Sequence, residues 1–257
     1  MIGSSLFIRM PRRTPSALAS SGSSRAWVVS FCSQKGGVGK STLACAFASY
    51  VARAGAQVKL IDFDPQQASA WEWNETRRGL GHSPALDVAE AATSDDVMGL
   101  LTGAAVIIVD GPGRASKATL ELAKVSHLVV QPTGGSRNDI LPAERVFREL
   151  IEAGIPRQRL TFALCRIDSD AEEKGTRAYL ESLDYAVLPG CLPSRSGYKV
   201  AQNAGFSVLE TNYPSLNRKA AELVGALAER MFAIHEMRTH IEFTPDQPDN
   251  TRMQKAG

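Results

Sequence analysis

The most constraining feature of the chain is a glycine-rich run, Lys35-Gly36-Gly37-Val38-Gly39-Lys40-Ser41-Thr42. It lies between an apolar, β-branched stretch at residues 26–32 and a helical pattern that opens at Lys40. Glycines free the backbone to turn until successive N–H groups converge on one point. A helix that starts there adds its positive end to the same point. Strand, glycine turn and helix in this order form a cradle for phosphate oxygens. The ordinary Gly-x-x-x-x-Gly-Lys-Ser spacing would need glycine at position 34, where the chain has Gln34, so the run is a KGGxGK[ST] variant. The physics predicts amides from Gly36, Gly37, Val38 and Gly39 around a polyphosphate. Lys40 is expected at the β and γ phosphates, Ser41 on Mg²⁺, and Thr42 as a donor to the α phosphate.

The rest of the chain alternates strands with helices. Further strands are expected at residues 57–63, in ALDVAEA, AAVIIVD, HLVVQP and LTFALCR, and in YAVLPGCLP. In KSTLACAFASYVARAG, Leu43, Phe47 and Val51 share one helical face, and Gly55 supplies a stop. Other helices are expected in QASAWEWNETRRG, DILPAERVFRELIEAG and PSLNRKAAELVGALAERMFAI. Runs such as VIIV and LVV are apolar on both faces, as in a parallel sheet covered on both sides. These signs predict an α/β, three-layer P-loop NTPase fold with a mostly parallel twisted sheet.

Composition narrows the function classes. Of 257 residues, 44% are hydrophobic and 22% charged, which excludes a wholly disordered chain. The net charge of +2 excludes a polybasic, histone-like protein but leaves room for a local basic patch. Cys32, Cys45, Cys165 and Cys191 form no C-x-x-C pair, so zinc and thioredoxin-type sites lack support and buried free thiols are expected. No apolar stretch reaches the roughly 18 residues of a membrane span. Residues 1–26 carry seven Ser, four Arg and no acid. That is a transit-peptide composition, but the expected reading is a disordered leader, or a start placed too early with Met10 as a second start. Residues 27–235 are expected to be the folded unit and 236–257 a flexible tail.

With its additional lysine, KGGVGKST resembles the deviant Walker A loop of the ParA/MinD group of P-loop ATPases. That resemblance implies ATP and Mg²⁺ as ligands and a sandwich homodimer in which Lys35 reaches the partner's nucleotide. A cation lent from a second subunit would offset charge developing on the γ-phosphate. The segment IDFDPQ is similar to the family's DxDPQ. It implies that Asp64 orients the attacking water and that Asp62 lies near the Mg²⁺ shell. Asp110, closing the apolar run AAVIIVD, matches a Walker B acid, and Gly111-Pro112-Gly113 resembles a mobile loop sensitive to the γ-phosphate. The resemblance also implies contacts with the base from Arg166, Leu192 and Pro193. Lys35, Lys40 and Asp64 would then form the catalytic set, with Ser41, Asp62 and Asp110 around the metal.

The resemblance covers about residues 27–232 and is nearest to the short, plasmid-type (ParF-like) ParA proteins. It implies nonspecific DNA binding by the ATP dimer, a ParB-like adaptor that stimulates hydrolysis, and a cytoplasmic, nucleoid-associated protein that partitions plasmids or positions cargo. Candidate DNA contacts are Arg195, Lys199, Arg218 and Lys219, since such binding needs cations against phosphates. Conjugative DNA transfer or microcompartment positioning are alternatives with the same motifs. A MinD-type membrane role would need a basic amphipathic C-terminal helix, which TPDQPDN does not provide, so no membrane partner is expected. A nitrogenase-like reductase would need a cysteine soon after Asp110, and the next is Cys165.

Overall fold

The computed structural model describes residues 26–64, 66–113 and 117–242, with side chains as far as residue 234. The expected leader before Ala26 and the expected tail beyond residue 242 lie outside the described residues. The strands are β1 (Trp27–Phe31), β2 (Val58–Asp62), β3 (Asp87–Glu90), β4 (Val106–Asp110), β5 (Leu128–Thr133), β6 (Leu160–Ile167) and β7 (Ala186–Pro193). Between and after them come α1 (Lys40–Arg53), α2 (Ser69–Gly79), α3 (Ser94–Leu100), α4 (Lys117–Val125), α5 (Arg137–Glu152), α6 (Asp170–Ser182), α7 (Ser196–Asn203) and α8 (Pro214–Glu242). The last helix thus runs past residue 235, where the sequence suggested that the folded unit ends.

The seven strands form one sheet in the order β3-β2-β4-β1-β5-β6-β7, and every pairing is parallel. From β1 the chain moves first toward β3 and later toward β7, so the order reverses beside β1. Ligands of open α/β sheets bind outside the carboxyl ends of the strands at such a reversal. The loop after β1 stands there, with the ends of β4 and β5 on either side.

Helices α1, α2, α7 and α8 contribute to one hydrophobic core, while α3, α4, α5 and α6 pack into two cores built from the opposite sheet face. The α1 pattern suggested one apolar stripe, yet every residue from Leu43 to Val51 is buried. Ala44, Ala46 and Ala48 make this possible, because small side chains let the helix lie between the sheet and α8. The helix starts where Gly39 takes a left-handed φ of 103° and stops before Gly55 at φ 87°.

A buried ion pair fastens α2 to the segment after α7. The Arg77 side chain is 1% exposed and donates to Glu210 at 3.0 Å, to the carbonyls of Gly205 (3.1 Å), Ser83 (2.6 Å) and Pro84 (3.2 Å), and lies over the Trp73 ring. Arg53 also contacts Glu210, and the Ser207 amide donates to it at 2.7 Å. Burial alone would raise the Glu210 pKa, but the Ser207 amide, Arg53 and Arg77 outweigh it and hold the carboxyl below its usual range. A lowered carboxyl pKa stabilises the fold above the ordinary glutamate range, and that contribution is lost as pH falls through the lowered value. Glu210→Gln, which strands a buried guanidinium, should cost about 3 kcal/mol in urea unfolding. It should also remove part of the acid dependence of the midpoint.

Candidate functional site

The glycine loop closes over a cleft of about 610 Å³, lined by Lys35–Gly37, Gly39–Thr42, Gln67, Trp73, Gly113, Cys165–Arg166 and residues of the β7–α7 corner. Ser33 shapes its start: Oγ donates to the Lys35 carbonyl at 2.7 Å and accepts from the Lys35 amide at 3.0 Å. Gly37 (φ 75°) and Gly39 (φ 103°) take left-handed conformations that a side chain would strain. A Cβ on Gly39 would also stand 3.3 Å from Cys165 Cβ, so the loop rests on the floor made by β6. Burial pushes the Cys165 thiol up to about 12, which leaves it an inert packing group.

Lys40, the first residue of α1, points back across the loop and meets Asp110 at 2.7 Å, with side-chain exposures of 10% and 1%. Register explains the meeting, since Asp110 at the end of β4 pairs with Phe31 of β1 and with Asp62 of β2. Gly111 permits it, because a Cβ there would lie 2.5 Å from the Phe31 carbonyl oxygen. The glycine therefore serves close strand packing as well as the loop freedom expected from sequence. Burial pushes the Asp110 carboxyl up, against the pull of Lys40 and a hydrogen bond with Ser41.

The second oxygen of Asp110, Oδ2, is buried without a hydrogen-bond partner among the described residues. A buried carboxylate oxygen left bare is costly, and with the Ser41 hydroxyl beside it the pair suits a hard divalent cation. No group of three or more His, Cys, Asp or Glu able to hold a metal occurs among the described residues. Two protein oxygens completed by phosphate and water is the ligand set that Mg²⁺ prefers.

Asp62 has a local job that no sequence pattern marked. Its Oδ2 accepts from the amides of Ala70 (2.8 Å) and Trp71 (3.0 Å), and its Oδ1 from the amide of Asp64 (3.1 Å). It caps the first turn of α2 and fixes the loop that carries Asp64. It stands beside Asp110 in register. Asp64 is half-buried and faces the β4 loop, where a Cβ on Gly113 would meet its Oδ2 at 2.8 Å.

Lys35 lies at the outer rim, with its side chain 50% exposed, and bonds Asp139 of α5 at 2.5 Å. Ser136 also donates to Asp139, at 2.6 Å. Burial would raise the Asp139 pKa, but Lys35 and Ser136 hold the carboxyl below its usual range. No pattern in the sequence marked this pair, whose members stand 104 residues apart. Arg166 lines the cleft, and from a left-handed backbone (φ 59°) its Nη1 donates to the Gly37 carbonyl at 2.9 Å. Its guanidinium braces the phosphate loop. Leu192 and Pro193 line the cleft at the end of β7. Arg195 and Lys199 are exposed on its α7 wall, whereas Arg218 and Lys219 are exposed on the first turns of α8.

A family model described as the CobQ/CobB/MinD/ParA nucleotide binding domain matches residues 29–208. The chain belongs to this family. Its architecture is shared with an ATP complex of a Cyanothece McdA variant, at 17% identity and a TM-score of 0.62, covering 80% of this chain and 97% of that one. Pyrococcus horikoshii MinD with Mg-ADP matches at 15% identity, TM-score 0.62, over 81% and 98% of the two chains. A putative plasmid partition protein of Borrelia burgdorferi bound to AMPPNP matches at 17% identity, TM-score 0.59, over 83% and 99%. No curated protein matches the sequence. Among the described residues no helix is long and apolar enough to cross a membrane.

Gly39→Ala combines a forbidden φ with the contact on Cys165. It should lower stability by about 1–3 kcal/mol and abolish nucleotide binding, read by thermal shift with and without Mg-ADP. An unchanged response to Mg-ADP would remove Gly39 from the cradle.

Proposed function

We propose that the chain is a ParA-type, Mg²⁺-dependent ATPase that closes into a homodimer around two ATP molecules. In this reading the dimer binds DNA without sequence preference and positions a plasmid or other cargo. A ParB-like adaptor stimulates hydrolysis, and the protein works in the cytoplasm on the nucleoid. The observation that carries the reading is the arrangement of two lysines on one loop. Lys40 is turned inward onto the buried Asp110, and Lys35 is turned outward at the cleft rim. One cation serves its own site, and the other is free of the interior and can be lent to a second copy once it leaves Asp139.

The division of labour follows from chemistry. Loop amides and Lys40 bind the β and γ phosphates, and Lys35 of the partner subunit offsets the charge that grows on the γ-phosphoryl oxygens. Asp64 orients the water that attacks in line. Ser41 and Asp110 would hold Mg²⁺, which supplies neutralisation of phosphate charge when bound. Asp62 acts one step back, by fixing the loop of Asp64. Leu192 and Pro193 offer the base an apolar edge, with Arg166 above the loop.

Arg195, Lys199, Arg218 and Lys219 are proposed as the DNA surface, since cations that displace counterions give sequence-independent affinity. Wild-type protein with ATP should bind duplex DNA with a steep salt dependence. Arg195→Glu combined with Lys199→Glu should lower that affinity and flatten the slope by about two, one unit per lost phosphate contact. An unaltered slope would place the surface elsewhere. Lys40→Ala should abolish ATP binding by calorimetry, and retained micromolar affinity would count against the loop as the nucleotide site.

A further inference from the structure

The Thr42 hydroxyl does not wait unpartnered for a phosphate. It donates to Gln202 Oε1 of α7 at 3.1 Å, across 160 residues of sequence. Both residues line the nucleotide cleft. A hydroxyl has one proton to give. It can donate to Gln202 or to an α-phosphate oxygen, but not to both. The anionic acceptor makes the stronger bond, so a bound nucleotide takes over the hydrogen bond, and the hydroxyl keeps its proton. The Gln202 carbonyl then faces an oxygen lone pair, and either the amide turns over or α7 draws away.

Helix α7 is not an isolated wall. Arg195 occupies the position just before its first turn and Lys199 lies within the helix. The Tyr198 hydroxyl donates to the Leu216 carbonyl in the first turn of α8 at 2.9 Å. A Cβ on Gly197 would lie 2.9 Å from both Leu216 and the Tyr213 ring, so the two helices are packed without slack. Arg218 and Lys219 follow directly on α8. All four candidate DNA cations therefore sit on or next to two interlocked helices, of which α7 meets the start of α1 through the Thr42–Gln202 hydrogen bond and α8 packs on α1 in the shared core.

We infer that Gln202 is a positioning residue that reports nucleotide occupancy of the phosphate loop to the basic surface of α7 and α8, by losing the Thr42 hydrogen bond when a phosphate arrives. This rests on the proposed DNA role of that surface. The size of the effect is bounded by one neutral hydrogen bond, which corresponds to about three- to tenfold in an equilibrium constant.

The test uses the full chain and two readouts. Gln202→Met keeps the volume and removes the competing acceptor. Mg-ATP affinity should tighten by about three- to tenfold. In a Thr42→Val background, where no hydrogen bond is exchanged, the same substitution should leave the affinity of that background unchanged. Thr42→Ser, which keeps the hydroxyl, should restore the effect. The ratio of DNA affinities with and without ATP should shrink in Gln202→Met by a similar factor. Equal effects of Gln202→Met in the wild-type and Thr42→Val backgrounds would reduce Gln202 to a packing residue and overturn the inference. So would an unchanged DNA ratio in a protein whose wild type shows one. If wild-type protein binds no DNA in any nucleotide state, the surface assignment under the proposed function fails and the coupling inference falls with it. The nucleotide arm still decides separately whether Thr42 exchanges its hydrogen bond.

Discussion

The contact between Lys40 and Asp110 is the interaction on which the site depends. It joins the first residue of α1 to the last residue of β4, and it is nearly closed to solvent. Bringing two charges out of water is expensive unless their remaining valences are met. Here they are met on one side only, because Asp110 Oδ2 has no partner among the described residues. Such a pair is poor stability engineering and good site engineering. It keeps a lysine and a carboxylate aimed at one point, as the proposed phosphate and cation contacts require. The order of strands makes this geometry possible. Placing β4 next to β1 sets Phe31 beside Asp110, and the glycine at 111 lets the two backbones close up.

Around this pair the loops are held by main chain as much as by charge. Asp62 binds the amides that begin α2, and through the Asp64 amide it sets the direction of the next carboxylate. Arg166 takes the Gly37 carbonyl, Ser33 clasps Lys35, and Asp139 holds the outer lysine. Each contact is made by a residue at the carboxyl end of a strand or just beyond it. The carboxyl edge of the sheet is therefore a ring of short tethers around the cleft, and the buried Arg77–Glu210 pair steadies its far wall.

Much of this is legible in the amino-acid sequence alone. Apolar, β-branched runs marked interior strands such as β1, β4 and β5 because both their faces are buried, whereas the edge strand β3 (DVAE) is exposed or half-buried and carries no such run. The glycine loop was readable because backbone conformation, rather than distant packing, dictates its residues. Asp110 followed from its place at the end of VIIVD. What stayed hidden was pairing across sequence. Nothing local distinguishes Asp139 from any acid in the first turn of a helix, or Gln202 from a solvated residue on a short one. Arg77 read as one of two arginines at a helix end, although it is buried and its neighbour is not. The main-chain role of Asp62 was hidden too, since only the fold shows α2 turning its amides toward it.

The most direct test of the account is calorimetric titration of ATP with and without Mg²⁺, for the wild-type protein and for Asp110→Asn. Mg²⁺ should tighten ATP binding by the wild type by about tenfold or more, equivalent to ~1.4 kcal/mol or above, and most of that gain should vanish in the variant while metal-free binding through the loop and Lys40 survives. A Mg²⁺ gain of the same size in both proteins would contradict the assignment of the buried Asp110 as the carboxylate around which this site is built.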